Sequence, residues 1–178
     1  MNIFVAGVHG VGKTYLASKL PATLGLMHTS ASKLIKEEYA MPNWGVDKRV
    51  SNVDANQIAL GEAVKRHNSA GTRLLLDGHF VLLDSHGEFS RLGTEVFRSL
   101  NLDGVVLLEA DPRTIAIRIR ERDGREVGIE HMVEFIIAER SQAEMVCHKL
   151  GISLRILNSP SPDIFTKAVT MTASMAAG

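Results

Sequence analysis

Short runs, most of them apolar throughout, alternate along the chain with longer stretches in which apolar residues recur every three or four positions. The first kind, at Ile3 to Ala6, Met27 to Thr29, Arg73 to Asp77, Gly104 to Glu109 and Ser153 to Leu157, predicts strands. Strands without a polar face are those covered by helices on both sides, as in parallel sheets. The second kind predicts helices from Gly12 to Leu24, Ala31 to Tyr39, Val53 to Ser69, Arg91 to Leu100, Pro112 to Arg122 and Ile129 to Leu150. Ser161-Pro162-Asp163 starts a last helix, because serine caps, proline fits the first turn and aspartate suits the positive end. Met171 and Met175 fall on its apolar face, and Ala173 to Gly178 should fray. Strand and helix in alternation predict an α/β domain with a parallel sheet.

Composition narrows the class. At 178 residues, 45% hydrophobic and 22% charged, one domain can bury a core without disulfides or metals. Twenty basic residues balance twenty acidic ones, which argues against a protein that grips nucleic acid or an anionic membrane non-specifically. The single cysteine, Cys147, excludes an intrachain disulfide and suits the cytoplasm; Met145, Val146 and Leu150 around it predict a buried thiol. The first residues lack the basic flank and long apolar stretch of a signal peptide, and no apolar run reaches the ~20 residues of a membrane span.

Chemistry enters directly after the first strand. Gly7-Val8-His9-Gly10-Val11-Gly12-Lys13-Thr14 fits the phosphate-binding loop pattern at every fixed position. Its glycines let the backbone wrap around phosphates, with the amides of Gly10 to Thr14 aimed from a helix N-terminus. Lys13 would reach the β- and γ-phosphates and the Thr14 hydroxyl would ligate Mg²⁺. His9 reads as an outward-pointing occupant. Asp77 ends an apolar strand, which places a carboxylate beside the metal at the sheet's C-terminal edge. Gly78 follows it, where motor-type ATPases of the AAA+ class carry a water-activating glutamate, so a hydrolytic motor is not expected. A guanine-reading N-K-x-D is absent, and Asp84 to Gly87 matches D-x-x-G too far past the strand to carry GTPase chemistry.

Arg113, Arg118, Arg120, Arg122 and Arg125 cluster around a predicted helix end. Arg118 and Arg122 are four apart and share a face. Glu121, Asp123 and Glu126 dilute the cluster, as on a solvated helix end, yet Gly124 and Gly128 bound a segment suited to a short lid. Arg140 on the next helix could return a further guanidinium.

With these elements in order, the chain resembles the P-loop nucleoside monophosphate kinases, most closely the archaeal-type adenylate kinases and related AAA-like ATP-binding proteins. The resemblance rests on Gly7 to Thr14, Leu76-Asp77-Gly78-His79, Val106 to Pro112, the Arg-Asp-x-x-Arg of Arg122 to Arg125, and Glu139-Arg140. It implies a three-layer P-loop NTPase fold with a five-stranded parallel sheet of order 2-3-1-4-5. It also implies a core of residues 1–30, 71–121 and 129–160, an acceptor-binding helical flap at 31–70, a lid at 122–128, and a C-terminal helix at 161–178. Arg118, Arg122 and Arg140 would then clamp phosphates, joining Lys13 and Asp77 as the catalytic set. The nucleotide would be held by Gly7, His9, Gly10, Val11, Gly12, Lys13, Thr14, Tyr15 and Arg118, with Asn158 and Pro160 at the adenine. Thr14 and Asp77 would hold Mg²⁺. On the acceptor side, Ser32 to Lys36 stands at the acceptor motif without its arginine, leaving Lys33 and Lys36, with Ser32, Arg49, Gln57 and His79 as further candidates. Trp44 in the flap could stack on a base or pack on the flap itself. A metal trio of His79, Asp84 and His86 lacks ligand spacing.

These residues lead to an Mg²⁺-dependent transfer of the ATP γ-phosphoryl to a small acceptor, first of all a nucleoside monophosphate. Two alternatives stay open. One is a kinase of a metabolite or nucleic-acid 5′-hydroxyl, with Asp77 or Asp84 as base. The other is a nucleotide switch that hydrolyses ATP slowly and acts through a protein partner.

Overall fold

A computed structural model describes residues 2–40, 52–84 and 87–175. Five strands form one parallel sheet: β1 (Asn2–Ala6), β2 (Leu26–Ser30), β3 (Arg73–Asp77), β6 (Leu102–Glu109) and β7 (Ser153–Asn158). Their order is β2-β3-β1-β6-β7. It is the expected order, renumbered because a small antiparallel hairpin, β4 (Val81–Leu83) and β5 (Phe89–Arg91), intervenes. Every residue of β1 is buried, as are Leu74 to Asp77 of β3 and Gly104 to Glu109 of β6. Complete burial on both faces explains their unbroken apolar runs.

The helices are α1 (Lys13–Ala17), α2 (Ala31–Tyr39), α3 (Asn52–Ser69), α4 (Thr94–Arg98), α5 (Pro112–Asp123), α6 (Ile129–Leu150) and α7 (Pro162–Met175). The helix expected from Gly12 to Leu24 stops at Ala17 and resumes only as a 3₁₀ turn at Ala22–Leu24. Pro21 is responsible: its backbone is extended, it offers no N–H, and it disfavours helical geometry at Leu20. The helix expected from Arg91 to Leu100 shrinks to α4 because Arg91 pairs with Val81 in the hairpin. The stretch between Asp77 and Arg91, for which the sequence predicts no element, therefore contains two strands, each only three residues long.

The core runs from β1 outwards. Within it Phe4, Phe80 and Phe97 pack on one another, with Phe4 edge-on to both partners at 5.4 and 5.6 Å and Phe80 stacked on Phe97 at 4.3 Å. At the sheet's N-terminal edge, Asn2 donates to Leu100 O and to Asn68 Oδ1, and its own Oδ1 accepts from the Leu74 amide. This network joins β1, β3, α3 and the turn before β6, far from the C-terminal edge where ligands bind in such sheets.

Candidate functional site

The chain leaves β1 at the C-terminal edge and turns immediately into the glycine loop. Gly7, Gly10 and Gly12 have φ of +138°, +79° and +110°, which L side chains rarely adopt. At Gly7 a Cβ would stand 2.4 Å from Leu108 O, and at Gly10 it would stand 2.8 Å from Ile119 Cγ1. The second contact has a consequence for charge. Helix α5 lies directly on the loop through Ile115 and Ile119, and Arg118 between them reaches the Val11 carbonyl at 3.1 Å. Asp111 and Pro112 aim α5, since Asp111 Oδ1 caps it by accepting from Arg113 N and Thr114 N at 2.9 and 3.0 Å.

Lys13 is buried, and its ammonium folds back onto the loop, donating to Gly7 O at 2.5 Å and Val8 O at 3.4 Å. Burial lowers its pKa to about 8, against the raising charges of Glu139 and Asp77. Glu139 is the partner that sequence reasoning left without a role. Only 1% exposed, its carboxylate accepts from Gly7 N at 3.2 Å, Phe80 N at 3.0 Å and Val81 N at 2.7 Å. It thereby ties the start of the glycine loop to the segment after β3. Burial raises the pKa of this carboxyl, and those amides and Lys13 oppose the rise. Its signal was in the chain: Met132, Phe135, Glu139, Gln142 and Val146 repeat every three or four residues on the buried face of α6.

Asp77 ends β3 beside Ser30, its register partner, and its Oδ2 is 2.8 Å from His28 Nε2 on neighbouring β2. His28 was also missed, because a lone histidine inside a short strand carries no motif. Position 78 has no room for the glutamate of a hydrolytic motor: a Cβ there would meet the Phe4 ring at 2.8 Å. His79, next along, packs its ring 4.1 Å from that of His9. Burial, then the charges of Lys13 and His9, push its pKa down to about 2, so it is neutral at physiological pH. His9 is exposed at the loop's crest, and partial desolvation with Lys13 and Arg122 nearby lowers its pKa too.

His9 to Thr14, Asp77, Gly78, His79 and Arg118 line one cleft of about 930 Å³. Of the expected site residues it brings together His9 to Tyr15, Ser32, Gln57, Asp77, His79, Arg118 and Arg122, with Gly7 behind Lys13. Beyond the phosphate end it continues between Ala31, Ile35, Leu60, Leu82, Leu92 and Phe97. Arg122 reaches the rim paired with Asp123 at 2.6 and 2.7 Å. Lys33 and Lys36 do not line the cleft; Lys33 lies 3.9 Å from Glu37 on the exposed side of α2. Arg140 does not line it either, being held by a two-pronged ion pair to Glu109 at the end of β6. Asn158, the last residue of β7, and Pro160 after it lie outside the cleft, where Ser159 N donates to Glu109 O at 2.8 Å. Arg49, Trp44 and His86 lie outside the described residues. Asp84 closes the β4–β5 turn, its Oδ1 accepting from Glu88 N at 2.9 Å.

Thr14 and Asp77 are a hydroxyl and a carboxylate on one wall, a donor set that suits Mg²⁺, which takes few protein ligands and completes its shell with phosphates and water. Among the described residues no cluster of three His, Cys, Asp or Glu could hold a metal unaided, and no helix is long and apolar enough to cross a membrane.

Sheet order, glycine loop and strand-end aspartate together define a P-loop NTPase fold of the kinase-like kind. Residues 6–133 match the AAA domain family, and the chain belongs to it. No curated protein matches. Among solved structures, the chain is similar to a gluconokinase from Sinorhizobium meliloti 1021, with 16% identity, TM-score 0.56 and 99% and 93% of the two chains covered. A sugar kinase from Janibacter sp. HTCC2649 is similar at 17% identity and TM-score 0.59, covering 98% and 95%. So is an uncharacterized protein from Eubacterium ventriosum ATCC 27560, at 14% identity, TM-score 0.55 and 98% of each chain.

Proposed function

We propose that the protein transfers the γ-phosphoryl of ATP to a small acceptor bound in the far half of the cleft. One observation carries this: the phosphate loop, the strand-end carboxylate Asp77 and Arg118 and Arg122 of α5 line the same cleft as Ala31, Ile35, Leu60, Leu82, Leu92 and Phe97, apolar walls that a triphosphate does not need.

Loop amides and Lys13 would hold the triphosphate, Lys13 exchanging its Gly7 and Val8 carbonyls for phosphate oxygens. Mg²⁺, held by Thr14 and Asp77, would neutralise charge on the β- and γ-phosphates. Arg118, anchored on the loop, and Arg122, on the rim, would meet the charge of the transferring group. The flap at 31–70 would cover the acceptor, and the short Gly124–Gly128 connection would act as lid. Arg140 would hold Glu109 rather than a phosphate. The resemblance to adenylate kinases would make the acceptor a nucleoside monophosphate, whereas the gluconokinase and the sugar kinase are named for sugar-derived acceptors.

The test is γ-labelled ATP with an acceptor panel. Label should pass to one compound, and Lys13→Ala should reduce transfer by at least about 100-fold; wild-type activity in that variant would refute the proposal.

A further inference from the structure

Two residues of the cleft's apolar end, Leu82 and Leu92, come from the β4–β5 hairpin and its exit. A two-stranded hairpin with strands of three residues is too small to hold its own position, so what it packs against decides where those side chains stand. It packs on α6. Phe89 of β5 stacks on His131 and Phe135, ring centres 5.2 and 5.4 Å apart, and Glu139 accepts from Phe80 N and Val81 N where β4 begins. Gln142, buried like Glu139, donates from Nε2 to the Leu92 carbonyl at 2.6 Å, just past the end of β5. Residues 131, 135, 139 and 142 recur every three or four positions, so a single stripe of α6 meets the hairpin.

The two ends of the hairpin are fastened differently. At the cleft end both main-chain groups of Leu92 are taken: its N–H donates to Phe80 O at 2.9 Å and its C=O accepts from Gln142. At the turn end Leu83 is exposed, and the turn is closed by Asp84 and Glu88 of the hairpin itself. The polar grip of α6 is thus concentrated where the hairpin meets the cleft. An apolar residue at 142 would fill the same space. A carboxamide aimed at one carbonyl also fixes where that carbonyl, and the side chain beside it, must stand. Glu139 bonds to the phosphate loop and the hairpin alike, whereas the Gln142 bond goes to the hairpin.

Building on the phosphotransfer reading above, we propose that the β4–β5 hairpin is the wall that selects the acceptor, and that Gln142 is its positioning residue. Gln142 lines no part of the cleft and acts only through Leu92. Its bond sets how far Leu82 and Leu92 stand into the cleft, and so which apolar face of an acceptor can seat against them. Without the donor, the buried Leu92 carbonyl loses its partner, and the hairpin end shifts to find another. The phosphate loop keeps its own supports, Glu139 at Gly7 N and α5 on Gly10.

Wild-type protein and Gln142→Met, which keeps the side chain's length and removes its donor, are assayed with γ-labelled ATP against AMP, GMP, CMP, UMP and gluconate. For the compound that the wild type labels, Gln142→Met should raise KM about tenfold, the equivalent of one lost hydrogen bond, while the KM for ATP moves less than about twofold. Hydrogen exchange should quicken about tenfold in the hairpin and stay as it was in the phosphate loop, a contrast that a general loss of stability would not give. Leu92→Ala keeps the bond and shortens the wall. It should likewise raise the acceptor KM and spare that for ATP, and it carries the test if Gln142→Met does not fold. An acceptor KM unmoved in either folded variant, the two KM values rising together, or exchange quickening equally in both segments overturns the inference and leaves phosphotransfer standing. Bound ATP with no label on any of these compounds overturns phosphotransfer, and the inference with it.

Discussion

Lys13 and Glu139 are an opposed pair of buried charges, and each dictates a measurable response. With a pKa of about 8 in the fold against an ordinary 10.5, Lys13 sheds its proton earlier in the folded protein than in the unfolded one. Between those values the unfolded chain binds more protons, so Lys13's contribution to stability rises with pH. Phosphate binding needs the charged form, so affinity for ATP should fall above about pH 8 by up to about tenfold per unit. Titrations of ATP from pH 7 to 9.5, with unfolding measured alongside, should show the two trends diverging; a pH-independent Kd would refute the assignment. Glu139→Gln removes the charge that three buried amides and Lys13 face. A loss of about 3 kcal/mol is expected, seen as a fall of roughly 6–12 °C in Tm. The glycine loop was legible because its spacing is a motif. The repeat of α6 records that Glu139 is buried, but not its role or that of His28, because those depend on α6 and β2 arriving beside Gly7 and Asp77.

At the scale of elements, strands were read more securely than helices. Buried parallel strands announce themselves as unbroken apolar runs, as β1, β3 and β6 do; the half-exposed edge strands β2 and β7 carry polar residues yet kept enough apolar ones to be found, and β6 proved two residues longer at its start. Helix α1 was overdrawn because periodicity outlived the backbone that Pro21 permits. The hairpin was missed because strands of three residues carry too little alternation to separate from a loop. Helix α5 matters most to the site, since its seat on Gly10 sets where Arg118 points. Asp111→Ala should cost about 1 kcal/mol through the lost cap, or ~2–4 °C in Tm. If α5 frays as a result, the KM for ATP should rise more than the Tm loss alone would suggest.

For the molecule as a whole, the zero net charge hides a separation of environments. Cations gather at the C-terminal edge of the sheet around the cleft, whereas the opposite edge is stitched by the uncharged Asn2–Asn68–Asn101 network. The asparagine network thus stabilises the end away from the cleft, and ligand binding adds stability at the other. ATP at about 100 times its Kd should stabilise the wild-type fold by ~2.7 kcal/mol and raise Tm accordingly. The same ATP should leave the Tm of Lys13→Ala almost unmoved, as scanning calorimetry of both proteins would register.

Cys147 has a practical consequence. It is the chain's single thiol, 3% exposed, and burial pushes its pKa up to about 12, so almost none of it is thiolate at neutral pH. Toward maleimides and similar reagents the native protein therefore behaves as if it had no cysteine. A cysteine introduced on the exposed Gly124–Gly128 connection would take a fluorophore selectively, with no need to remove Cys147 and open a hole in the packing of α6. Paired with a nucleotide bearing a complementary dye, that label would read the distance from connection to phosphates during turnover, on the unaltered core.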